Sequence, residues 1–183
     1  MKLTGESKFF ISVIAVTIAI IGAGIMLFSR PEPTFPKAEM IPEGSHSRGA
    51  TDSAVYLVEF SDFQCPACKA AKPIVDALVA EYQDKLVFAY RHFPLDQHPL
   101  GKRAAQAAEA AGRQGKFWEM YDGLFVDQES LSEEKIATIA ASLGFDMNQF
   151  TTDFNDPVIA QKVENDRLAG LKFGVNSTPT FFL

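Results

Sequence analysis

Two cysteines are the residues of this sequence whose type and spacing most directly suggest chemistry. Cys65 and Cys68 are the only cysteines in the 183-residue chain, and Pro66 and Ala67 lie between them. A Cys-x-x-Cys pair between a strand-like run and a helix-like run points to thiol–disulfide exchange. The sequence therefore predicts a redox-active dithiol, with Cys65 as the attacking thiol and Cys68 as the resolving thiol.

The predicted elements on either side explain why this spacing suits the chemistry. A strand is predicted over residues 55–60, and a helix is predicted from Pro66 to about Tyr82. Proline suits the first position of a helix because no N–H is needed there, so Cys65 falls at the N-cap. The unpaired N–H groups of the first turn and the positive end of the helix dipole then favour its thiolate. A favoured thiolate is more reactive, and it makes the corresponding disulfide more oxidising.

Three other interpretations of the cysteines compete with exchange. A structural disulfide across so short a loop removes little entropy from the unfolded chain. A zinc site needs about four ligands, which would have to include His46, His92 or His98, and the gap from Cys68 to His92 exceeds the usual spacing. Two inert cysteines are disfavoured by the strand, the helix-start proline and the spacing together. We therefore expect neither a metal nor another cofactor.

Composition bounds the class of protein. The length fits one domain plus extra segments, and sixteen phenylalanines can build a sizeable core. The formal net charge is −6 and the chain has no basic block. Nucleic acid is therefore not an expected partner.

The N-terminal part contains a long apolar run. After a polar tail at 1–8, residues 9–28 contain no charged side chain, which matches the length of a bilayer-spanning helix. A cleaved signal peptide is the alternative, with residues 22–24 as the small-residue cleavage region. Since residues 25–28 continue the apolar run, we favour an uncleaved signal anchor that contacts the bilayer. The redox chemistry, more than the charge count, predicts a single-pass membrane protein with its catalytic domain on the extracytoplasmic side.

A segment rich in proline and glycine follows the apolar run. Residues 29–50 are predicted to be a linker, in which His46 is simply solvated. The folded domain is then expected to begin near Thr51 and to occupy 51–183.

Glu59 is an anomaly in the first predicted strand. Apolar residues on both faces of that strand indicate a central, buried strand, yet Glu59 lies in it six residues before Cys65. Burial would raise its pKa and let it move a proton to or from Cys68. The residues alone leave open the alternative of a strand-end carboxylate in water.

The rest of the chain is predicted to be mainly helical. A second strand at 86–90, joined to the first by a helix, should pair with it in parallel in a right-handed βαβ unit. His92 and His98 follow it and are expected to be loop histidines. The helical signals in 99–173 are an alanine-rich run at 101–113, an aromatic run at 116–124, a capping box of Ser130 and Glu133 with a stop at Gly144, and a last helix from Asp156-Pro157 to Gly174. A final strand begins at Thr180.

Three stretches together resemble the thioredoxin superfamily and, within it, the DsbA-like thiol:disulfide oxidoreductases. They are residues 59–69, EFSDFQCPACK, residues 90–95, YRHFPL, and residues 174–181, GVNSTPTF. Pro73, five residues after Cys68, also matches the kinked helix of thioredoxin-like proteins. The resemblance covers about 51–183 and implies an α/β thioredoxin-like fold with a helical insertion at about 99–173.

The resemblance also implies roles for particular residues. Thr178 and Pro179 match a cis-proline loop that packs beside the cysteine pair, where the backbone of Thr178 would pair with an extended substrate. Glu59 matches the buried acid of the family, which favours the proton-relay interpretation. The family fold continues with a further strand and a C-terminal helix that this sequence does not reach, so we expect a domain truncated at its C-terminus.

The predicted function is a membrane-anchored oxidase. Its substrates would be extracytoplasmic proteins with free thiols, and a membrane quinone-linked reoxidase would restore the Cys65–Cys68 disulfide. A reductase or isomerase would use the same site with a reductant donor, although an isomerase usually needs a dimerisation module and none is evident. The third possibility is a tethered chaperone or binding module whose cysteines are incidental.

Overall fold

The computed structural model describes residues 5–29, 35–50, 53 and 55–183, in two compact units, Met1–Phe35 and Pro36–Leu183. The first unit contains helix α1, Gly5–Phe28. Its segment Phe9–Met26 is long and apolar enough to cross a membrane, with a mean hydropathy of 2.6, and it is the one such helix among the described residues. The helix predicted at 9–28 is therefore present.

The second unit is built on a four-stranded mixed sheet. Its strands are β1, His46–Gly49, β2, Val55–Ser61, β3, Leu86–His92, and β4, Thr180–Phe182. The order across the sheet is β1-β3-β2-β4, in which β2 and β3 pair in parallel and the two outer pairs are antiparallel. The predicted parallel βαβ unit and the central position of the first strand are both confirmed.

Helices cover the sheet and fill the interval between β3 and β4. Helix α3, Pro66–Glu81, connects β2 to β3 and runs through Pro73. The insertion comprises α4, Gly101–Arg113, α5, Phe117–Val126, a short 3-10 helix, Gln128–Ser130, α6, Glu133–Ser142, α7, Met147–Phe154, and α8, Pro157–Lys172. The fold is thus thioredoxin-like with a helical insertion, as the sequence resemblance implied.

Two details of the insertion differ from the prediction. The N-cap of α6 is Ser132, whose side chain accepts a hydrogen bond from the Lys135 N–H, whereas Ser130 belongs to the 3-10 helix and donates to the Asp127 carbonyl. The capping box predicted at Ser130 was therefore wrong, because the 3-10 turn moves the helix start by two residues. Helix α7 was not predicted, since it is short and its main local signal is the N-cap Asp146.

The predicted linker at 29–50 differs most from the structure. From Pro36 onward the chain folds onto the domain, as helix α2, Lys37–Met40, and strand β1. The side chain of Met40 is buried, and β1 pairs with β3 along its whole length. Pairing with the open edge of β3 and burial of Met40 stabilise a segment whose proline and glycine content suggested a solvated tether. Pro31, Pro33 and the boundary at Thr51 lie outside the described residues.

His46, predicted to be solvated, is part of this docked segment. Its ring stacks on Phe117 with centroids 3.6 Å apart, and its Nε2 lies 3.0 Å from Oε2 of Glu109. His92 Nε2 lies 3.0 Å from the other oxygen of the same carboxylate, and His92 is buried at the end of β3 rather than in a loop. Burial alone would raise the pKa of Glu109, but hydrogen bonds from both histidines hold it well below its usual range. These contacts give both histidines a structural role.

Candidate active site

Cys65 occupies the N-cap of α3, as predicted. Its backbone is extended, with φ −79° and ψ 120°, and Pro66 takes the first helical position. The Cys65 carbonyl accepts the Lys69 N–H at 3.2 Å, which begins the helix. The side chain makes no capping hydrogen bond to the first turn, and its Sγ instead donates to the Thr178 carbonyl at 3.5 Å. The sulfur therefore lies between the helix start and the Thr178 backbone.

The loop that meets Cys65 comes from the far end of the sequence. The Thr178–Pro179 peptide bond is cis, as the resemblance implied. Strand β4 follows at once and pairs with β2, with Thr180 opposite Phe60. Since β2 also leads into the cysteine loop, this pairing brings Thr178 and Pro179 beside Cys65.

The two cysteines differ in their surroundings. Both are free thiols, and Cys68 is fully buried whereas 6% of Cys65 is exposed. Burial raises the pKa of the Cys68 thiol to about 12, and the nearby polar groups of Ser61, Asp62 and Thr178 offset this only in part. Cys68 therefore stays protonated near neutral pH, which suits a resolving thiol better than an attacking one.

Glu59 lies inside the protein, not in water at a strand end. It is 1% exposed, and burial raises its pKa from 4.5 to about 7, with a smaller opposing effect of the Ser61 hydroxyl. The same hydroxyl lowers the pKa of Cys68, so Ser61 lies beside both groups. One carboxyl oxygen of Glu59 and three nearby hydroxyl oxygens are buried without a hydrogen-bond partner among the described residues: Glu59 Oε2, Ser61 Oγ, Tyr90 Oη and Tyr121 Oη. The site thus places a protonatable carboxyl among buried hydroxyl groups within the core.

Replacing Glu59 with glutamine should stabilise the protein in a pH-dependent way. The folded chain holds this proton up to about pH 7 and the unfolded chain only up to about 4.5, so the stability of the wild type falls as pH rises between these values. Glu59→Gln should therefore gain up to about 3 kcal/mol at pH 8 and little at pH 4. Urea unfolding of the full chain in detergent, followed by the fluorescence of Trp118, measures this difference.

The exposed Glu119 provides a matched control, because Glu119→Gln makes the same chemical change at the protein surface. Its effect on the free energy of unfolding should be small at both pH values. Equal gains for Glu59→Gln at pH 4 and pH 8 would contradict the assignment of a raised pKa to Glu59.

Several residues that fix the cysteine loop were not found from the sequence. The Asp62 carboxylate accepts the Gln64 N–H at 2.7 Å and the Leu95 N–H at 2.8 Å, and it pairs with His98 Nδ1 at 2.7 Å. Gln64 Oε1 accepts the Leu100 N–H at 2.8 Å. His98 thus acts beside the loop through Asp62 rather than as a ligand of the thiols.

A further contact to this loop comes from the insertion. Gln128 donates through Nε2 to the carbonyls of Phe63 and Cys65. It lies 63 residues after Cys65 in a stretch without a recognisable motif, so no local signal marks it.

Comparison with known proteins agrees with this geometry. A family model described as Thioredoxin matches residues 42–183. The Na(+)/H(+) antiporter NhaA of Herminiimonas arsenicoxydans is 40% identical over 142 residues, which are 78% of this chain and 22% of that protein. This chain therefore spans about a fifth of the length of that relative.

Solved structures resemble the fold over most of the chain. The thiol-disulfide exchange protein alpha-DsbA2 from Wolbachia pipientis is 25% identical with a TM-score of 0.73, and the match covers 80% of this chain and 79% of that one. A thioredoxin-like oxidoreductase from Silicibacter pomeroyi DSS-3 is 27% identical with a TM-score of 0.71, covering 81% and 85%. The chain therefore has the fold of DsbA-type thiol–disulfide oxidoreductases.

Proposed function

Because the chain belongs to the thioredoxin family whose model matches residues 42–183, we propose that it exchanges disulfides with other proteins through Cys65 and Cys68, in the direction of substrate oxidation. One observation carries the proposal. The Cys65 sulfur lies at the start of α3 and 3.5 Å from the carbonyl of Thr178. This arrangement holds the sulfur beside a loop whose backbone can bind an extended substrate, which is where exchange would occur.

The substrate is an extended segment that carries free thiols. It pairs with the backbone of Thr178 in the manner of an added strand, which brings its cysteine to Cys65. Supporting this, Thr178 lies shortly before β4, which begins at Thr180, and its carbonyl contacts the sulfur of Cys65. The contact uses backbone groups, so it accommodates substrates of different sequence.

Exchange then proceeds in two balanced steps. In the first, a substrate thiolate attacks Cys65 Sγ of the disulfide, a mixed disulfide forms, and Cys68 leaves with the electron pair of the broken bond. In the second, another substrate thiolate attacks the substrate sulfur of the mixed disulfide, and Cys65 leaves as a thiolate. Two electrons have then passed from the substrate to the protein.

Glu59 supplies the proton that Cys68 needs on leaving. The Cys68 thiolate is strongly basic, since the pKa of its thiol is raised to about 12. Glu59, whose pKa is about 7, is partly protonated at neutral pH and lies beside the same Ser61 hydroxyl. The transfer from Glu59 to Cys68 is therefore downhill, either directly or through one intervening hydroxyl or water.

Location and partners complete the proposal. Helix α1 anchors the chain in the bacterial cell membrane as an uncleaved signal anchor, with the catalytic domain on the extracytoplasmic side, where disulfides persist. A membrane quinone-linked reoxidase accepts the two electrons and restores the disulfide.

The test uses the full oxidised chain in detergent micelles and a reduced peptide with two cysteines. The peptide should become an intramolecular disulfide while an equal amount of the chain becomes a dithiol, as counted by thiol labelling and mass spectrometry. A chain that leaves the reduced peptide unchanged, yet reduces its disulfide form, would be a reductase. If the chain neither oxidises nor reduces the peptide, the result would support the alternative of a binding module whose cysteines are incidental.

A further inference from the structure

One side chain of the helical insertion reaches the backbone of the cysteine loop. Gln128 begins the 3-10 helix that joins α5 to α6, and it is 5% exposed. Its Nε2 donates to the Phe63 carbonyl at 2.8 Å and to the Cys65 carbonyl at 2.9 Å. Both N–H groups of a single buried amide are therefore used to hold the residues that lead into α3.

These hydrogen bonds act on the part of the loop that places the sulfur. The Cys65 carbonyl also accepts the Lys69 N–H, so it belongs to the first hydrogen bond of α3. On the other side of the loop, the Asp62 carboxylate and the Gln64 amide bind the segment around Leu95 and Leu100. The loop is thus fixed from two sides. Among these side chains, Gln128 is the one that binds the backbone of Cys65 itself.

We propose that Gln128 is a positioning residue for exchange, which holds the Cys65 backbone so that Sγ stays between the start of α3 and the Thr178 carbonyl. The inference rests on the proposed function, because positioning matters only if Cys65 reacts. A fixed sulfur attacks or is attacked without first having to be ordered, which raises the rate of exchange. Without Gln128, both carbonyls lose this donor, the Cys65 carbonyl keeps the Lys69 N–H, and the loop is free to shift toward other donors.

A purely structural role for Gln128 predicts a different result. In that case its loss would lower the stability of the domain but leave the rate of exchange per folded molecule unchanged. The experiment therefore compares it with another glutamine that ties two elements together. Gln114, at the C-cap of α4, donates to the Asp146 carbonyl at 3.1 Å and accepts the Asp146 N–H at 3.0 Å. It has no hydrogen bond to the cysteine loop.

The variants Gln128→Met and Gln114→Met remove each amide with little change in side-chain length. Exchange with the reduced two-cysteine peptide is measured by stopped-flow mixing with the full oxidised chain in detergent. The buffer contains no urea, and the temperature is one at which every variant is folded. Gln128→Met should slow exchange about fivefold to tenfold, as expected for two lost hydrogen bonds. Gln114→Met should stay within about twofold of the wild type. Equal rates for the two variants would overturn the proposal.

Two further outcomes are covered by the design. If Gln128→Met does not fold, Gln128→Asn keeps the amide but is one methylene too short to reach both carbonyls, and it should show the same loss of rate. A wild-type rate in folded Gln128→Asn would then overturn the proposal. If the wild type itself exchanges no disulfide with the peptide, the proposed function fails instead, and this result is separate from a difference between variants.

Discussion

Replacing Cys65 with serine should lower the rate of peptide oxidation by about a thousandfold or more, because a serine oxygen cannot form the mixed disulfide. Cys65 is the sulfur beside the Thr178 carbonyl, where the substrate is proposed to bind, and Cys68 is buried behind it. Cys68 should therefore not replace Cys65 as the sulfur that the peptide thiolate attacks, and only background oxidation of the peptide should remain. Peptide oxidation by the full chain, followed by the disappearance of peptide thiols, measures it.

The matched variant is Cys68→Ser, which should also lose turnover but for a different reason. With the peptide in its disulfide form, Cys65 of this variant attacks one peptide sulfur and releases the other as a thiolate, which is then alkylated so that it cannot reverse the step, and no protein thiol remains to resolve the product. A mixed disulfide between Cys65 and the peptide should accumulate, whereas Cys65→Ser should give none. Trapping of the peptide on Cys68 in the Cys65→Ser variant would reverse the assignment of the two thiols.

The second large effect concerns the reduced protein, in which Cys68 should react with iodoacetamide at pH 7 at least about a hundredfold more slowly than Cys65. The thiolate is the reactive form, and burial raises the pKa of Cys68 from 9.0 to about 12, so its thiolate population falls about a thousandfold below that of a free thiol. Cys68 is also fully enclosed, while part of Cys65 is exposed. Mass spectrometry of each cysteine during labelling gives the two rates.

The pH dependence sharpens this prediction. Because the pKa of Cys68 is raised, its labelling should increase about tenfold per pH unit from pH 7 until the pH approaches 12. Labelling in strong denaturant is the control, since both cysteines should then react like ordinary thiols. Similar rates for the two cysteines in the folded protein would contradict the division of roles between them.

The local parts of this fold were predictable from the sequence. Strand β2, the helix that starts at Pro66 and the placement of Cys65 at its N-cap depend on neighbouring residues, and all three were predicted. The cis bond before Pro179 followed from a resemblance, since nothing in its immediate neighbours required it. Signals within a few residues were therefore enough to place Cys65 at the start of α3, whereas the cis-proline loop required the resemblance.

The parts that were wrong or missed depend on distant partners. The segment from Pro36 to Gly49 reads as a tether by composition, but the edge of β3 that receives it is about forty residues away in sequence. Glu59 could be read as buried or solvated until the position of β2 between β3 and β4 was known. Gln128 carries no local signal, because its partners are two carbonyls of another segment.

The contacts that fix the cysteine loop therefore come largely from the helices and loops that follow β3. Asp62, Gln64 and Gln128 connect the loop to residues from Leu95 onward. Under the proposed role of Gln128, a change in the insertion alters the reactivity of Cys65 without touching the cysteines. This dependence makes the insertion part of the site rather than an addition to it.

The measurement that tests the central claim most directly is a redox titration of the full wild-type chain with glutathione. The account predicts a reversible two-electron couple between the Cys65–Cys68 dithiol and its intramolecular disulfide. Its potential should lie above about −270 mV, the value of thioredoxin, and toward the −120 mV or so of DsbA. A potential at or below that of thioredoxin would contradict an oxidase, and the absence of any Cys65–Cys68 disulfide would contradict disulfide exchange itself.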